Sequence, residues 1–254
     1  MSGHRYLQHE GPIAFAHRGG HDVAPENTLA SFRHAVSLGY RYLETDAHRT
    51  LDGVLVAFHD PDLNRTCGVD ANIVEMTAAD VAEARVVDPD GTAHSIPLLA
   101  ELLEAFPDIR FNIDAKSDEA VEPLAALVRR FDAVDRVCLA SFNKSRLRRL
   151  RVLLGPGLLT NLSPSEVATL RVVGRLRGDA PRAAQVPTVL RGVEVVNERF
   201  LTNARRSGVP VHVWTINERN EMERLLDLGV DGIMTDETGL LRTVMIERGV
   251  WPAG

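Results

Sequence analysis

Short apolar runs alternate along this chain with stretches whose apolar residues recur every three or four positions, the signature of strands followed by helices. Ile13-Ala14-Phe15-Ala16 reads as a strand, and residues 27–38 carry Leu29, Phe32, Ala35 and Val36 at helical spacing. A second strand runs through Tyr42-Leu43-Glu44-Thr45-Asp46. Asp52-Gly53 signals a tight turn, and Val54-Leu55-Val56-Ala57-Phe58 leads away from it. Helical spacing returns at Leu98, Leu99, Leu102 and Leu103. Further strands are expected at Arg110–Ala115, Val137–Ser141, Leu158–Leu162, Val211–Ile216 and Gly232–Thr235. Helical segments near 119–131, 144–154, 164–173, 198–207, 218–228 and 238–248 separate or follow them. Residues 174–197 must hold one more strand, at Ala183–Val186, at Val193–Val196, or split between the two.

With that strand the count reaches eight, each followed by a helix. Repeated βα units imply a parallel sheet and eight imply closure, so the expected fold is α/β, a TIM (β/α)8 barrel with a small insertion after the second strand. An open doubly wound sheet would want a glycine-rich phosphate turn after the first strand, and Gly19-Gly20 is too short a match. Residues 60–95 read as irregular and polar, longer than an ordinary βα connection. No internal repeat or low-complexity linker appears, so residues 1–254 are expected to form a single domain carrying 60–95 as its insertion.

Composition narrows the class of partner. A net charge of -6 supplies no global field for nucleic acid or an anionic membrane. The cluster Arg146, Arg148, Arg149, Arg151 reads as the wet face of a helix whose other face carries Leu147, Leu150 and Leu154. Residues 1–11 lack the apolar core of a signal peptide, and no apolar run approaches the roughly 20 residues that span a bilayer. Cys67 and Cys138 are the only cysteines, and Cys138 lies in an apolar run. No disulfide is expected, and a reducing, cytoplasmic setting follows.

The polar residues at the ends of the apolar runs carry the candidate chemistry, since barrel enzymes keep their reactive groups at strand ends. Glu44 and Asp46 are two apart on a strand and project from one face. Asp114 and Lys116 repeat that spacing on the next barrel strand. Three acids brought together repel, by roughly 4 kcal/mol for each pair about 4 Å apart at an effective dielectric near 20. Such a cluster takes up protons or binds a cation, and an all-oxygen site favours Mg2+ or Ca2+ over zinc. A single strand-end acid such as Asp114 would otherwise cap a helix or pair with an arginine. His17 and His59 also follow apolar strands; together they can supply one base and one acid near neutral pH. Arg18 offers a planar fork for phosphate oxygens and Lys116 a point charge. The set suits a phosphate ester that gains negative charge at its transition state.

On His17-Arg18-Gly19, Pro25-Glu26-Asn27-Thr28, Glu44-Thr45-Asp46, Asp52-Gly53 and His59-Asp60, the chain resembles the glycerophosphodiester phosphodiesterases, a TIM-barrel family. Asn64-Arg65-Thr66, Ile96-Pro97-Leu98, Ser141-Phe142 and Val213-Trp214-Thr215-Ile216-Asn217 extend the likeness, which is loose over 165–200. The resemblance implies that His17 and His59 are the acid/base pair, with His17 favoured as base. It implies Glu44, Asp46 and Asp114 as metal ligands, and Arg18 and Lys116 as the groups that hold phosphate. Glu26 and Asn27 would brace the loop or touch substrate, and Trp214 would line the pocket or simply pack in the barrel. The family usually carries glutamate where this chain has Asp114, so the third ligand is one methylene shorter and would bind directly or through a water. The implied reaction is metal-dependent hydrolysis of a small glycerophosphodiester to sn-glycerol 3-phosphate and an alcohol such as choline or ethanolamine. The alternatives are a lysophospholipase D-like phosphodiesterase and a non-catalytic phosphodiester-binding barrel. No nucleic-acid partner or membrane anchor is expected, and residues 60–95 are expected either to cap the mouth or to lie on the surface away from substrate.

Overall fold

The structure is a computed structural model that describes residues 4–178 and 180–252. Eight strands form a closed parallel ring: β1 (Ile13–Ala16), β2 (Tyr42–Arg49), β3 (Arg110–Ala115), β4 (Val137–Ala140), β5 (Leu159–Asn161), β6 (Arg182–Pro187), β7 (Val211–Trp214) and β8 (Gly232–Thr235). Closure comes from β8 returning to β1, with Ile13 beside Gly232 and Ala16 beside Thr235. The helices outside the ring are α1 (Leu29–Ser37), α2 (Leu99–Ala105), α3 (Val121–Arg130), α4 (Lys144–Leu154), α5 (Pro164–Val173), α6 (Glu198–Arg206), α7 (Arg219–Leu228) and α8 (Thr238–Glu247). Each follows the barrel strand of the same number, as the alternating pattern predicts.

The open choice between 183–186 and 193–196 resolves to the first. Arg182–Pro187 pairs with β5 and β7, and Ala183 and Ala184 are fully buried. Val193-Glu194 instead folds back on Val189-Leu190 as an exposed two-stranded hairpin. Barrel strands are covered on both sides, so the run without exposed apolar side chains is the one that fits. On α4 Leu147 and Leu150 are buried as expected, but the arginine cluster is only partly a wet face. Arg148 is exposed, whereas Arg146 donates to the Ala115 and Lys116 carbonyls and Arg151 to the Thr160 hydroxyl, because their long side chains reach the strand ends beneath them.

Residues 60–95 are more ordered than their composition suggests. They hold short helices at Asn64–Cys67 and Ala78–Glu83 and a hairpin of Arg85–Val87 with Ala93–Ser95. These wrap a small core of their own, in which Leu63, Ile73 and Val81 meet Val56 and Phe58. The strand Leu55–Ala57, antiparallel to the far end of β2, ties that core to the barrel. Its apolar residues are too widely spaced to show a helical or strand period; only the folded turns bring them together.

At the opposite end the barrel is plugged. Tyr6, in a single 3-10 turn, lies fully buried under Phe15, Cys138 and Met234, with its ring edge-on to Tyr42 at 5.2 Å. The Tyr42 hydroxyl donates to the Tyr6 carbonyl at 2.6 Å. Trp251 packs edge-on to Tyr40 at the same end. His212, inside β7, is wholly buried, and neither ring nitrogen has a partner.

Candidate active site

Strand register delivers the acids. Side chains two apart share a face, and pairing sets Glu44 beside Asn112 and Asp46 beside Asp114. Glu44, Asp46 and Asp114 therefore point into one cavity at the C-terminal ends of the strands, together with His17, Arg18, His59, Lys116 and Trp214. All eight of these sequence-predicted residues meet there. Glu26 and Asn27 do not line the cavity; they stand behind it.

The turn after β1 is held from several sides. Arg18 and Gly19 both adopt positive φ, 51° and 85°. A Cβ at Gly19 would stand 2.5 Å from the Ser31 hydroxyl and 3.0 Å from the Phe32 nitrogen, so only glycine lets the turn seat on the start of α1. The Arg18 amide donates to Glu44 Oε2 at 3.0 Å. Asn27, left-handed at φ 56°, stays outside α1 and donates its own amide to the Arg18 carbonyl. Its side chain donates to Asp46 Oδ2 and accepts from the Thr45 hydroxyl, at 3.2 and 2.7 Å. Asn27 is thus a buried brace for a metal-ligand candidate.

Each imidazole is backed by a carboxylate. His17 Nδ1 is 2.6 Å from Asp236, just past β8, and Asn217 donates to the other Asp236 oxygen at 2.8 Å. His17 Nε2 lies 3.7 Å from Glu44. His59 Nδ1 is likewise 2.6 Å from Asp60. In both rings Nδ1 is occupied and Nε2 is left for chemistry. Asp236 and Asn217 were assigned no role from the sequence. Asp236 is signalled by its place at the end of the last strand, like Asp46 and Asp114 on theirs, and Asn217 closes the stretch 213–217 that carries part of the family resemblance.

The cations are placed against the acids. Lys116 Nζ bridges Asp46 and Asp114 at 2.8 and 2.9 Å. Arg18 reaches Glu26 at 3.1 Å, and its Nε lies 3.4 Å from Asp46 without a formed hydrogen bond. Burial and the neighbouring Asp46 push the Glu44 carboxyl up to about 7. Burial would also raise Asp46, but Lys116 and Arg18 hold it below the usual carboxylate range. Burial raises Asp114 in spite of Lys116. Burial would lower His17, yet Glu44 and Asp236 together raise it. Against its own burial, Asp236 is held down to about 2 by the His17 contact.

The donor set is carboxylate oxygen throughout, which fits a hard divalent ion, and burial beside Asp46 makes the Glu44 charge costly without one. As they stand, no three His, Cys, Asp or Glu side chains among the described residues form a ready metal cage. The Lys116 ammonium sits between two of the three acids instead.

An aromatic pair forms one wall. Phe142, 65% exposed, stands perpendicular to Trp214 with ring centroids 5.9 Å apart. Trp214 therefore both lines the cavity and packs.

The profile of the "Glycerophosphoryl diester phosphodiesterase family" matches residues 17–240. A Mycobacterium tuberculosis protein named "Probable glycerophosphodiester phosphodiesterase 2" is 39% identical over 97% of this chain and 95% of its own length. The human protein named "Lysophospholipase D GDPD1" is 30% identical over 89% of this chain and 84% of its own. The crystal structure of a Silicibacter pomeroyi protein named "Putative glycerophosphoryl diester phosphodiesterase" superposes with a TM-score of 0.81 at 25% identity, covering 98% of both chains.

Proposed function

The chain belongs to the glycerophosphoryl diester phosphodiesterase family and is an enzyme of that family, and we propose that it hydrolyses small glycerophosphodiesters to sn-glycerol 3-phosphate and an alcohol by acid/base catalysis from His17 and His59. The observation that carries the mechanism is the pair of imidazoles in one cavity, each with Nδ1 on a carboxylate at 2.6 Å. That arrangement fixes each ring and leaves Nε2 to face a substrate.

His17 is the base. Two carboxylates, Glu44 and Asp236, favour its protonated form, so it takes a proton readily from the attacking group. That attacker is water or the substrate's own 2-hydroxyl, the latter through a cyclic phosphate. His59, the more exposed of the two rings, protonates the leaving alkoxide. Arg18 and Lys116 are the cations within reach of the phosphate. Glu44, Asp46 and Asp114 would hold Mg2+ or Ca2+, which supplies positive charge to the phosphate oxygens when bound. Asn27 keeps Asp46 aimed, and Glu26 does the same for Arg18. The two free thiols support a reducing, cytoplasmic setting, and no described helix is long and apolar enough to cross a membrane.

The test is release of glycerol 3-phosphate from a panel of glycerophosphodiesters with Mg2+ or Ca2+ added. His17→Ala or His59→Ala should lower turnover at least about 10²-fold with the fold intact. Wild-type turnover in either variant removes that histidine from the mechanism. Excess chelator should abolish activity and added Mg2+ or Ca2+ restore it; full activity in chelator ends the metal proposal.

The exposed Phe142 beside Trp214 and the likeness to "Lysophospholipase D GDPD1" favour one second reading, an enzyme that also takes lysophospholipids. Comparing kcat/KM for glycerophosphocholine and its acylated counterpart separates the two.

A further inference from the structure

Arg65 stands outside the catalytic cavity, half exposed on the four-residue helix Asn64–Cys67 of the insertion, yet it touches the backing of both flanks of the site. Its Nε donates to Asp60 Oδ2 at 2.5 Å, and the other oxygen of that carboxylate holds His59 Nδ1 at 2.6 Å. Its two terminal nitrogens donate to the two oxygens of Glu26, and Glu26 Oε1 in turn accepts from Arg18 at 3.1 Å. A planar guanidinium can present these three donors at once, whereas an ammonium cannot reach in two directions. The helix that carries Arg65 is itself set by Leu63 and Ile73, both fully buried in the insertion's core.

We propose that Arg65 is a positioning residue: by clamping Asp60 against Glu26 it fixes the His59 ring with Nε2 toward the cavity, so that the insertion controls proton delivery to the leaving group. The proposal rests on His59 acting as the acid, as argued above. It gives residues 60–95 a part in turnover that needs no contact with substrate. Without Arg65, Asp60 is free to swing toward solvent, and the ring loses the partner that holds Nδ1–H and so keeps the proton on Nε2 of the imidazolium aimed at the leaving group. Burial works against the ionised Asp60 and Glu26 carboxylates, but the contacts with Arg65, with His59 for Asp60 and with Arg18 for Glu26, keep both below their ordinary ranges. The clamp is therefore charged on all sides at neutral pH.

The test is steady-state kinetics of Arg65→Ala, Arg65→Lys and Asp60→Asn, with folding checked by thermal melting. Arg65→Ala should lower kcat by about 10–100-fold while KM moves less than about threefold, the loss expected when a reacting group is misaligned. Lysine, able to reach only one of the two acids, should recover part of the loss. Guanidinium at tens of millimolar should restore kcat of the alanine variant several-fold, since the vacated position is open to solvent. Adding Arg65→Ala to Asp60→Asn should cost no more than about twofold further. Unchanged kcat in the alanine variant, a rise in KM alone, or the same penalty in the Asp60→Asn background would each overturn the proposal. Nitrogen-15 spectra, taken at a pH where the imidazoles are neutral, give a readout apart from turnover: once it has given up its Nε2 proton, His59 should be a single Nδ1–H tautomer in the wild type and a mixture in Arg65→Ala and Arg65→Lys. Identical spectra in all three sink the clamp even where a variant is inactive. Wild-type inactivity toward every glycerophosphodiester would instead strike the functional reading, leaving the spectra to judge Arg65.

Discussion

The carboxylate behind each imidazole determines what that imidazole can do, and the two were not equally visible in the sequence. Asp60 follows His59 directly, so the pair stood in the sequence as a motif. Asp236 lies 219 positions from His17, and nothing in a linear pattern joins them. Barrel closure does: β8 pairs with β1 and sets the end of the last strand against the end of the first. Asp236→Asn should therefore lower kcat by about 10²–10⁴-fold, with a modest fall in melting temperature as the ion pair with His17 is lost, because the amide cannot favour the same ring form. A variant within threefold of wild-type kcat would show that His17 needs no such partner. Asn27→Ala removes two buried hydrogen bonds, one to Asp46 and one from Thr45. It should cost about 1–3 kcal/mol in denaturant unfolding, because the alanine also has to adopt a left-handed φ. Glu44 and Asp46 were legible as a pair because strand periodicity puts them on one face; Asp114 was offered by its place at a strand end and by the family resemblance, and the register of β3 on β2 sets it beside Asp46. The bridging position of Lys116 was not legible, since a flexible ammonium goes wherever the nearest charge is, and that depends on coordinates.

Among the elements, strands and helices with a clean period were legible to within a few residues, and the misses share a cause. The segment 174–197 offered two apolar runs of similar length, and only burial distinguishes them: Gln185 in β6 reaches Asn112 at 2.8 Å across the barrel, while Val193 lies on an outer hairpin. The order in 60–95 was hidden because its core residues come from turns rather than from a repeating face. Helix α1 shows the opposite case, where a short local signal sets an element and, through it, the site. Thr28 accepts from the Ser31 amide in a reciprocal cap, so the helix starts at Leu29, with Thr28 between it and Asn27. Thr28→Ala should lower stability by about 1 kcal/mol in a urea titration. A loss of kcat larger than that of an equally destabilised variant elsewhere on α1 would show that the cap also fixes the Arg18 turn.

For the whole molecule, a histidine enclosed by the barrel away from the cavity adds its own dependence of stability on acidity. Burial, with His9 nearby, lowers His212 to about 3, whereas in the unfolded chain a histidine titrates near 6.5. The unfolded state therefore binds a proton that the folded state refuses. The resulting stability is fully present above about pH 6.5 and declines as pH falls toward 3, by about 1.4 kcal/mol for each pH unit between those limits. Melting curves of wild type and His212→Leu at pH 8 and pH 4.5 should show the wild type losing more on acidification; parallel losses would refute this account. The plugged end of the barrel has a different, practical consequence. Tyr6 and Trp251 both pack on the face remote from the cavity, so a tether fixed to an exposed residue of that face, such as Arg41, sits on the molecule's blind side. Enzyme immobilised through Arg41→Cys should keep the KM it has free in solution, with its mouth turned toward the flowing substrate.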